Sequence, residues 1–229
     1  MRNGPPGPSV DRISRPDQGA RYEGFDIDAS NVRWCSRHYV SHPNFHFQRA
    51  NIYNKMYNPK ATVQAQAFTF PYPDASFDFA FASSVFTHMP LPAVAHYLEE
   101  TARVLAPGAR ALLTLYIWNP ESQASVAQGK SALPFRPHSD LIVINPVVPE
   151  AAIALPQEGW DQAVRDAGLR LICCASPTPT ASWRHARRRC PRRLQSRSNA
   201  SQKPTADGLP RLHVRCRSGT PVMLRQCQF

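Results

Sequence analysis

An apolar pattern over residues 77–118 leaves few folds open to this chain. Residues 77–82 (FDFAFA) favour a strand, and apolar positions three and four residues apart over 94–105 favour a helix with one buried face. Pro107-Gly108 then marks a turn, and residues 111–118 (ALLTLYIW) favour a second strand that is apolar at nearly every position. Because such a strand needs cover on both faces, the pattern predicts a parallel sheet between layers of helices.

The alternation of strands and helices continues on both sides of this region. This alternation predicts βαβ units, and therefore an α/β domain over residues 21–172. Residues 119–150 are interpreted as a Pro- and Ser-rich insertion. The other predicted elements are strands over 21–27 and 45–50, a helix over about 31–39 capped by Asp28 or Ser30, a short apolar run over 141–144, a helix over about 157–167 and an apolar end over 169–172.

Positive charge is confined to the last part of the chain. Residues 1–172 hold 15 Lys plus Arg and 15 Asp plus Glu, whereas residues 173–229 hold 12 basic residues and a single acid, Asp207, which accounts for the formal charge of +11. Prolines occur throughout this last part, and its apolar residues follow neither a helical nor a strand periodicity. We therefore predict a disordered basic tail. Nucleic acid is expected to bind only through this tail, because the domain before it is neutral.

The composition predicts a cytoplasmic protein without a metal centre. No run of about 18 apolar residues is present to span a membrane, and residues 1–16 lack the apolar stretch of a signal peptide. The six cysteines form no Cys-x-x-Cys pair and have no matched spacing with histidine. The sequence therefore predicts scattered thiols rather than a zinc site.

Asp26 is the first candidate for a binding residue. In a doubly wound sheet, ligands bind at the carboxyl ends of the strands, where an acid can accept hydrogen bonds from both hydroxyls of a ribose. Asp26 follows Gly24-Phe25 at the end of a predicted strand, which suits this role. The alternative role, a helix cap, suits Asp28 better.

Two motifs resemble those of class I S-adenosylmethionine-dependent methyltransferases with a type 11-like domain. The first is Phe-Pro-Tyr-x-Asp-x-Ser-Phe-Asp at 70–78, and the second is Leu-x-Glu-x-x-Arg-Val-Leu-x-Pro-Gly at 98–108. The resemblance covers about residues 20–118, with weaker support to 172. It implies a Rossmann-like, doubly wound and mostly parallel sheet, S-adenosylmethionine as cofactor, and methyl transfer to an acceptor that the sequence does not identify.

The resemblance also implies roles for single residues. His88 follows the strand 77–82 and faces the methyl acceptor as a candidate general base, since histidine titrates near neutral pH. A hydrogen-bonded histidine that fixes the loop is an equally good interpretation. The implied cofactor-binding residues are Asp26 at the ribose, Ile27 beside the adenine, Asn51 and Ile52 at the end of the strand 45–50, and Ser83 near the methionine end. The family usually has an acid at the position of Asn51, where it accepts a hydrogen bond from the adenine amino group. The amide oxygen of Asn51 can accept the same hydrogen bond without the charge.

Residues 1–20 lack the glycine-rich loop that the family places about 20 residues before the ribose acid. The sequence therefore predicts a domain truncated before its first strand, with a gap in the sheet between strands 21–27 and 77–82 where backbone groups lack partners. Codons for Met1 to Pro5 permit Cys-Gly-x-Gly-Arg when read one base later. We therefore interpret residues 1–20 as a leader displaced by a frameshift, and residues 173–229 as out-of-frame translation.

The sequence favours one function and leaves two alternatives. The favoured function is a truncated S-adenosylmethionine-dependent methyltransferase domain that binds its cofactor weakly or not at all. The first alternative is a non-enzymatic methyltransferase-like protein whose Arg-rich tail contacts nucleic acid or acidic partners. The second, an unrelated nucleotide-binding α/β domain, is disfavoured because the chain has no phosphate loop of the GxxxxGK[ST] type.

Overall fold

The computed structural model describes residues 21–175 and 211–216, with residues 173–175 and 211–216 described through their backbone alone. Within these ranges, no helix combines the length and the apolar character needed to cross a membrane. In chain order, the strands and helices are β1 (Tyr22–Asp26), α1 (Ala29–His38), β2 (Phe45–Arg49), β3 (Phe77–Ala82), α2 (Leu91–Val104), β4 (Leu105–Trp118), α3 (Pro120–Ala127), β5 (Arg136–His138), β6 (Leu141–Val143), β7 (Ile153–Pro156), α4 (Gln157–Asp166), β8 (Arg170–Ala175) and β9 (Arg211–Cys216).

β4 is the central strand of the larger sheet. β3 and β9 both pair in parallel with residues 110–113 of β4, so they lie on its opposite edges. β8 lies beyond β9, and β7 pairs in parallel with the end of β4. β1 and β2 form a separate parallel pair. Mostly parallel strands flanked by helices define the Rossmann-like α/β fold that the sequence predicts.

The main core lies between β4 and the helices α2 and α4. Its fully buried side chains include Val94 and Leu98 of α2, Leu113 and Leu115 of β4, and Trp160 of α4. Leu112, on the opposite face of β4, is 41% exposed. The predicted cover on both faces of β4 is therefore incomplete among the described residues, because α1 packs against β1 and β2 instead.

β4 begins directly after α2, so Pro107-Gly108 lies inside the strand rather than in a turn before it. Gly108 has a φ of +79°, a left-handed conformation that glycine adopts without strain. The pairing of β3 with β4 slips at this point: Phe77 pairs with Leu105, whereas Phe79 pairs with Arg110. The predicted turn is thus a bulge, in which five steps along β4 match two along β3.

The prediction that residues 173–229 form a disordered tail is wrong for two segments. Residues 173–175 belong to β8, and residues 211–216 form β9, which pairs in parallel with both β4 and β8. The sequence RLHVRC alternates polar and apolar residues, a period of two that favours a strand, and β9 has partners on both sides. Residues 1–20, 176–210 and 217–229 lie outside the described residues.

Residues 119–150, interpreted from the sequence as a Pro- and Ser-rich insertion, contain regular structure. Asn119 and Ser122 form a reciprocal cap at the start of α3, with N···O distances of 2.9 Å in both directions. β5 and β6 then form an antiparallel hairpin that joins β7. This places the segment beside the carboxyl end of β4, at the edge of an α/β sheet where ligand sites form.

The two sequence motifs contact each other through Arg103 of α2. Its guanidinium donates hydrogen bonds to both carboxylate oxygens of Glu100 (2.8 and 2.7 Å), to Asp74 Oδ1 (2.7 Å), and to the backbone oxygens of Phe70 (3.0 Å) and Tyr72 (2.9 Å). Glu100 Oε2 also accepts from the backbone N–H of Phe70 at 2.6 Å. We call this set of contacts the Arg103 clamp; it fixes segment 70–74 against α2.

The Arg103 clamp makes stability depend on pH through Glu100. Hydrogen bonds from Arg103 lower the pKa of Glu100 below its ordinary value of 4.5 in the folded chain. Its contribution to stability is therefore complete above about pH 4.5 and is lost as the pH falls through the lower folded-state pKa. We expect Glu100→Gln to lower the free energy of unfolding at pH 7 by about 1–3 kcal/mol. Because protonated glutamate and glutamine are both neutral, this difference should shrink below pH 4.

Urea unfolding of the variant and the parent chain from pH 3 to pH 7 tests this expectation. Glu99→Gln is the control, because the Glu99 side chain is 62% exposed on the same helix. A Glu100→Gln deficit of equal size at all pH values would contradict the role of the ionised carboxylate.

Candidate functional site

A cavity of about 670 Å³ lies between β1 and β3. All five residues of β1 and all six of β3 line it. The floor is formed by side chains from α2, β4 and the Arg103 clamp: Phe70, Tyr97, Thr101, Val104 and Leu113. The hydroxyl of Thr101 donates to the backbone oxygen of Tyr97 at 2.6 Å, and burial raises the pKa of Tyr97, so both hydroxyls of the floor are neutral.

The cavity lies between the two strands that the sequence predicts to flank a gap, and the residues before β1 lie outside the described range. In the part of the chain that is described, β1 pairs with β2 alone and β3 with β4 alone. The N–H of Tyr22 donates to Asn44 O (2.9 Å), and the C=O of Asp26 accepts from Ala50 N (3.0 Å). Since neighbouring residues of a strand direct their backbone groups to opposite edges, Glu23 and Phe25 direct theirs away from β2 and into the cavity.

Asp26 lies at the carboxyl end of β1 and lines the cavity. Its Oδ1 accepts from the backbone N–H of Asp28 (2.8 Å), and its Oδ2 accepts from Asn31 Nδ2 (3.2 Å). Each oxygen has a further lone pair with which to accept from a ligand. Asp28 caps α1 by accepting from Ser30 N (2.7 Å) and Ser30 Oγ (2.6 Å), and these hydrogen bonds lower its pKa. Asp28 is therefore the helix cap, as the sequence favours, and both acids line the cavity.

His88 lies in the single turn of 3₁₀ helix after β3 and lines the same cavity. Its Nδ1 is 2.7 Å from the backbone oxygen of Glu150. A carbonyl oxygen only accepts, so Nδ1 carries the proton and Nε2 is the basic nitrogen of the neutral ring. The ring of Tyr57 meets the imidazole edge to face, with centroids 5.4 Å apart. Both interpretations of His88 are compatible with this geometry, because the bond that fixes the loop also fixes the tautomer that a general base needs.

Ile27, Ile52 and Ser83 also line the cavity, whereas Asn51 does not. Ile52 is buried, and Ser83 directly follows β3. Asn51 is exposed, and its Oδ1 accepts from Asn58 Nδ2 at 3.2 Å. The structure thus places the amide oxygen expected beside the adenine in the neighbouring loop rather than in the cavity wall.

Sequence reasoning missed the contribution of the loop after β2. Tyr53, Asn54 and Tyr57 line the cavity next to His88. Asn54 Oδ1 accepts from the backbone N–H groups of Met56 and Tyr57, each at 3.0 Å, which folds the loop back on itself. Lys55 Nζ donates to Val147 O at 2.8 Å and ties this loop to the segment before β7. The signal in the sequence was the pair of tyrosines in an otherwise polar stretch.

A parallel α/β sheet with a cavity at its strand ends and an acid at the end of β1 is an arrangement that many nucleotide-binding domains share. The sequence agrees with this class: residues 6–113 match the family model described as methyltransferase domain. A solved S-adenosylmethionine-dependent methyltransferase from Methanosarcina mazei is similar at 18% identity and a TM-score of 0.43, over 64% of this chain and 68% of that one. The match covers 108 of the 229 residues and indicates a methyltransferase domain in this part of the chain.

Proposed function

We propose that this domain binds S-adenosylmethionine at the carboxyl ends of β1 and β3 and transfers its methyl group to an acceptor beside His88. The observation that carries the proposal is the position of Asp26, which lines the cavity with acceptor capacity on both oxygens. A carboxylate at this strand end suits the paired hydroxyls of a ribose. Ile27 and Ile52 supply an apolar wall for the adenine, and Ser83 lies across the cavity at the end of β3.

The lining fits the nucleoside part of this cofactor better than its amino-acid part. Gly24 is the one glycine among the described lining residues. A Cβ at Gly24 would meet the ring of Tyr22 at 3.0 Å, so the space beside this glycine is taken by the protein itself. No glycine turn among residues 21–175 and 211–216 therefore brings backbone N–H groups to the methionine carboxylate. We accordingly propose that binding is weak, with Asp26 as its main polar contact.

When bound, the cofactor supplies the electrophilic methyl group. The hydrogen bond between His88 Nδ1 and Glu150 O orients the imidazole, and His88 is the group that takes a proton from the acceptor. Tyr53, Tyr57 and Met89 surround this side of the cavity, and they position the acceptor by apolar contact. The class of acceptor consistent with a histidine base carries a hydroxyl or amine.

Calorimetric titration of the full chain with S-adenosylmethionine tests the proposal. We expect saturable binding with a dissociation constant of roughly 0.1–1 mM. Asp26→Asn should weaken this binding by about 10- to 100-fold, because a hydrogen bond to a charged group contributes about 1.5–3 kcal/mol. The variant keeps an oxygen that can accept from Asp28 N, so the turn before α1 should persist.

Asp78→Asn is the matched control, because it removes the same charge at the opposite end of the cavity. Its dissociation constant should stay within about twofold of the parent value, a change of less than about 0.5 kcal/mol. Equal weakening by both substitutions would mean that net charge, rather than a ribose contact, attracts the cofactor. A dissociation constant in the low micromolar range for the parent chain would contradict the proposal that the chain holds the methionine part of the cofactor only weakly.

A further inference from the structure

The neutral total charge of residues 1–172 conceals an uneven distribution. Between Asp28 and Asp74 the sequence contains no acid, whereas it contains five basic residues and three histidines. The basic residues are Arg33, Arg37, Arg49, Lys55 and Lys60. The acids that balance them lie in other parts of the domain, so a surface built from this segment carries positive charge.

One face of α1 presents two of these arginines to solvent. Arg33, Trp34, Arg37 and His38 are three to five residues apart or adjacent along the helix, so they share one face, and all four are exposed. Cys35, on the other side of the helix, is buried. Among the described residues, no ion pair involves Arg33 or Arg37. We call these four exposed residues the α1 face.

Trp34 and His38 form a flat aromatic platform on the α1 face. Their rings are stacked, with centroids 4.5 Å apart and planes inclined by 11°. Tyr39 meets both rings edge to face, with centroids 6.4 Å from Trp34 and 5.0 Å from His38. Tyr39 in turn stacks on Phe45 of β2 at 5.3 Å, which ties the platform to the sheet. The ring of Trp34 is thus held in place, although 50% of the residue is exposed.

The two kinds of side chain on the α1 face together suit a single strand of nucleic acid. Arginines neutralise phosphates, and exposed aromatic rings stack on bases. The bases of a duplex are already stacked on one another, so a single strand offers the free base faces. An acidic protein would pair with the arginines but would leave the aromatic platform without a planar partner.

We propose that the α1 face binds single-stranded nucleic acid, with one base stacked on Trp34 and the neighbouring phosphates bound by Arg33 and Arg37. The proposal concerns a surface of α1 and does not depend on S-adenosylmethionine. Binding is therefore measured without the cofactor.

Fluorescence anisotropy of the full chain with labelled dodecamers of uridine (RNA) and of thymidine (DNA) tests the base contact. Trp34→Ala should weaken binding of the RNA or the DNA dodecamer by at least about fivefold, because it removes the ring on which a base stacks. An abasic oligonucleotide of the same length is the matched probe. It has phosphates but no bases, so Trp34→Ala should bind it within about twofold of the parent.

A double variant tests the phosphate contacts. Arg33→Gln with Arg37→Gln should weaken binding of every oligonucleotide, the abasic one included, and should reduce the slope of log affinity against log salt by about 1.4, since each phosphate contact on a single strand contributes about 0.7. Lys130→Gln with Arg165→Gln is the control, because it removes the same charge at exposed residues after α3 and on α4. Its affinity should stay within about twofold of the parent value.

Photochemical cross-linking of the parent chain keeps the test decisive if a variant does not fold. A dodecamer that carries 5-bromouridine should cross-link to residues of α1, as mapped by mass spectrometry. The proposal is overturned if Trp34→Ala binds both dodecamers as tightly as the parent, if the two double variants weaken binding equally, or if the cross-links lie only in residues 173–229.

Discussion

The chain cut after Pro210 should be far less stable than the full chain. This truncation removes β9, which pairs with β4 on one side and β8 on the other over residues 211–216. Its loss leaves the central strand β4 and the edge strand β8 each with an unpaired edge. We expect a loss on the order of 5 kcal/mol, which is comparable to the total stability of a small domain. Urea unfolding followed by circular dichroism should show an early or non-cooperative transition.

A second truncation, after Cys216, isolates the contribution of these six residues. It keeps β9 and removes residues 217–229. We expect its unfolding midpoint to match that of the full chain. If the two truncations unfold alike, the stability of the domain does not depend on β9.

Arg103→Met should have the second largest effect. The substitution keeps a long apolar stem and removes all five hydrogen bonds of the Arg103 clamp. Glu100 is 8% exposed, so its carboxylate would be left without its charged partner. Because the Arg103 side chain is itself 27% exposed, we expect a loss of about 2–4 kcal/mol. Chemical denaturation at pH 7 measures it.

The contacts of the Arg103 clamp also indicate which part of the structure Arg103→Met should disturb. Phe70 contacts Tyr97 and Phe25 edge to face, with ring centroids 5.0 and 5.1 Å apart, so release of segment 70–74 should disturb the cavity floor. Arg37→Met, on the exposed face of α1, is the control and should change the free energy of unfolding by less than about 0.5 kcal/mol. A loss at Arg103 no larger than at Arg37 would contradict the clamp.

Local patterns in the sequence predicted the elements that carry their own signal. α2 and α4 show helical periodicity, and β3 and the second half of β4 show continuous apolar character, so their positions follow from local rules. β7 and β9 are short and form through pairing with β4, a distant part of the chain. β9 does carry a local signal, the alternation of polar and apolar residues in RLHVRC, but the surrounding Pro- and Arg-rich sequence hides it, whereas β7 depends mainly on its partners.

The residues of the candidate site likewise divide into those with a local signal in the sequence and those that depend on distant contacts. Asp26, Ile27, Ile52, Ser83 and His88 follow directly from strand ends, and the topology brings strand ends to one edge of the sheet. Asn51 also follows a strand, but the neighbouring Asn58 binds its amide oxygen. Tyr57 reaches the cavity through a folded loop whose path depends on Asn54 and Lys55. Strand ends can be predicted from sequence, whereas the path of a long loop depends on contacts that the sequence does not reveal.

The place of β9 in the sheet sets an order of events during synthesis. Leu112 of β4 pairs with His213 of β9, about a hundred residues later in the chain. At 5–20 residues per second, the ribosome needs roughly 5–20 s to cover that distance. During this interval the nascent chain exposes the edge of β4 and, once residues 170–175 have been made, that of β8, and unpaired edges recruit other strands. The chain is therefore most vulnerable to aggregation just before β9 is synthesised, when chaperones that cover strand edges would matter most.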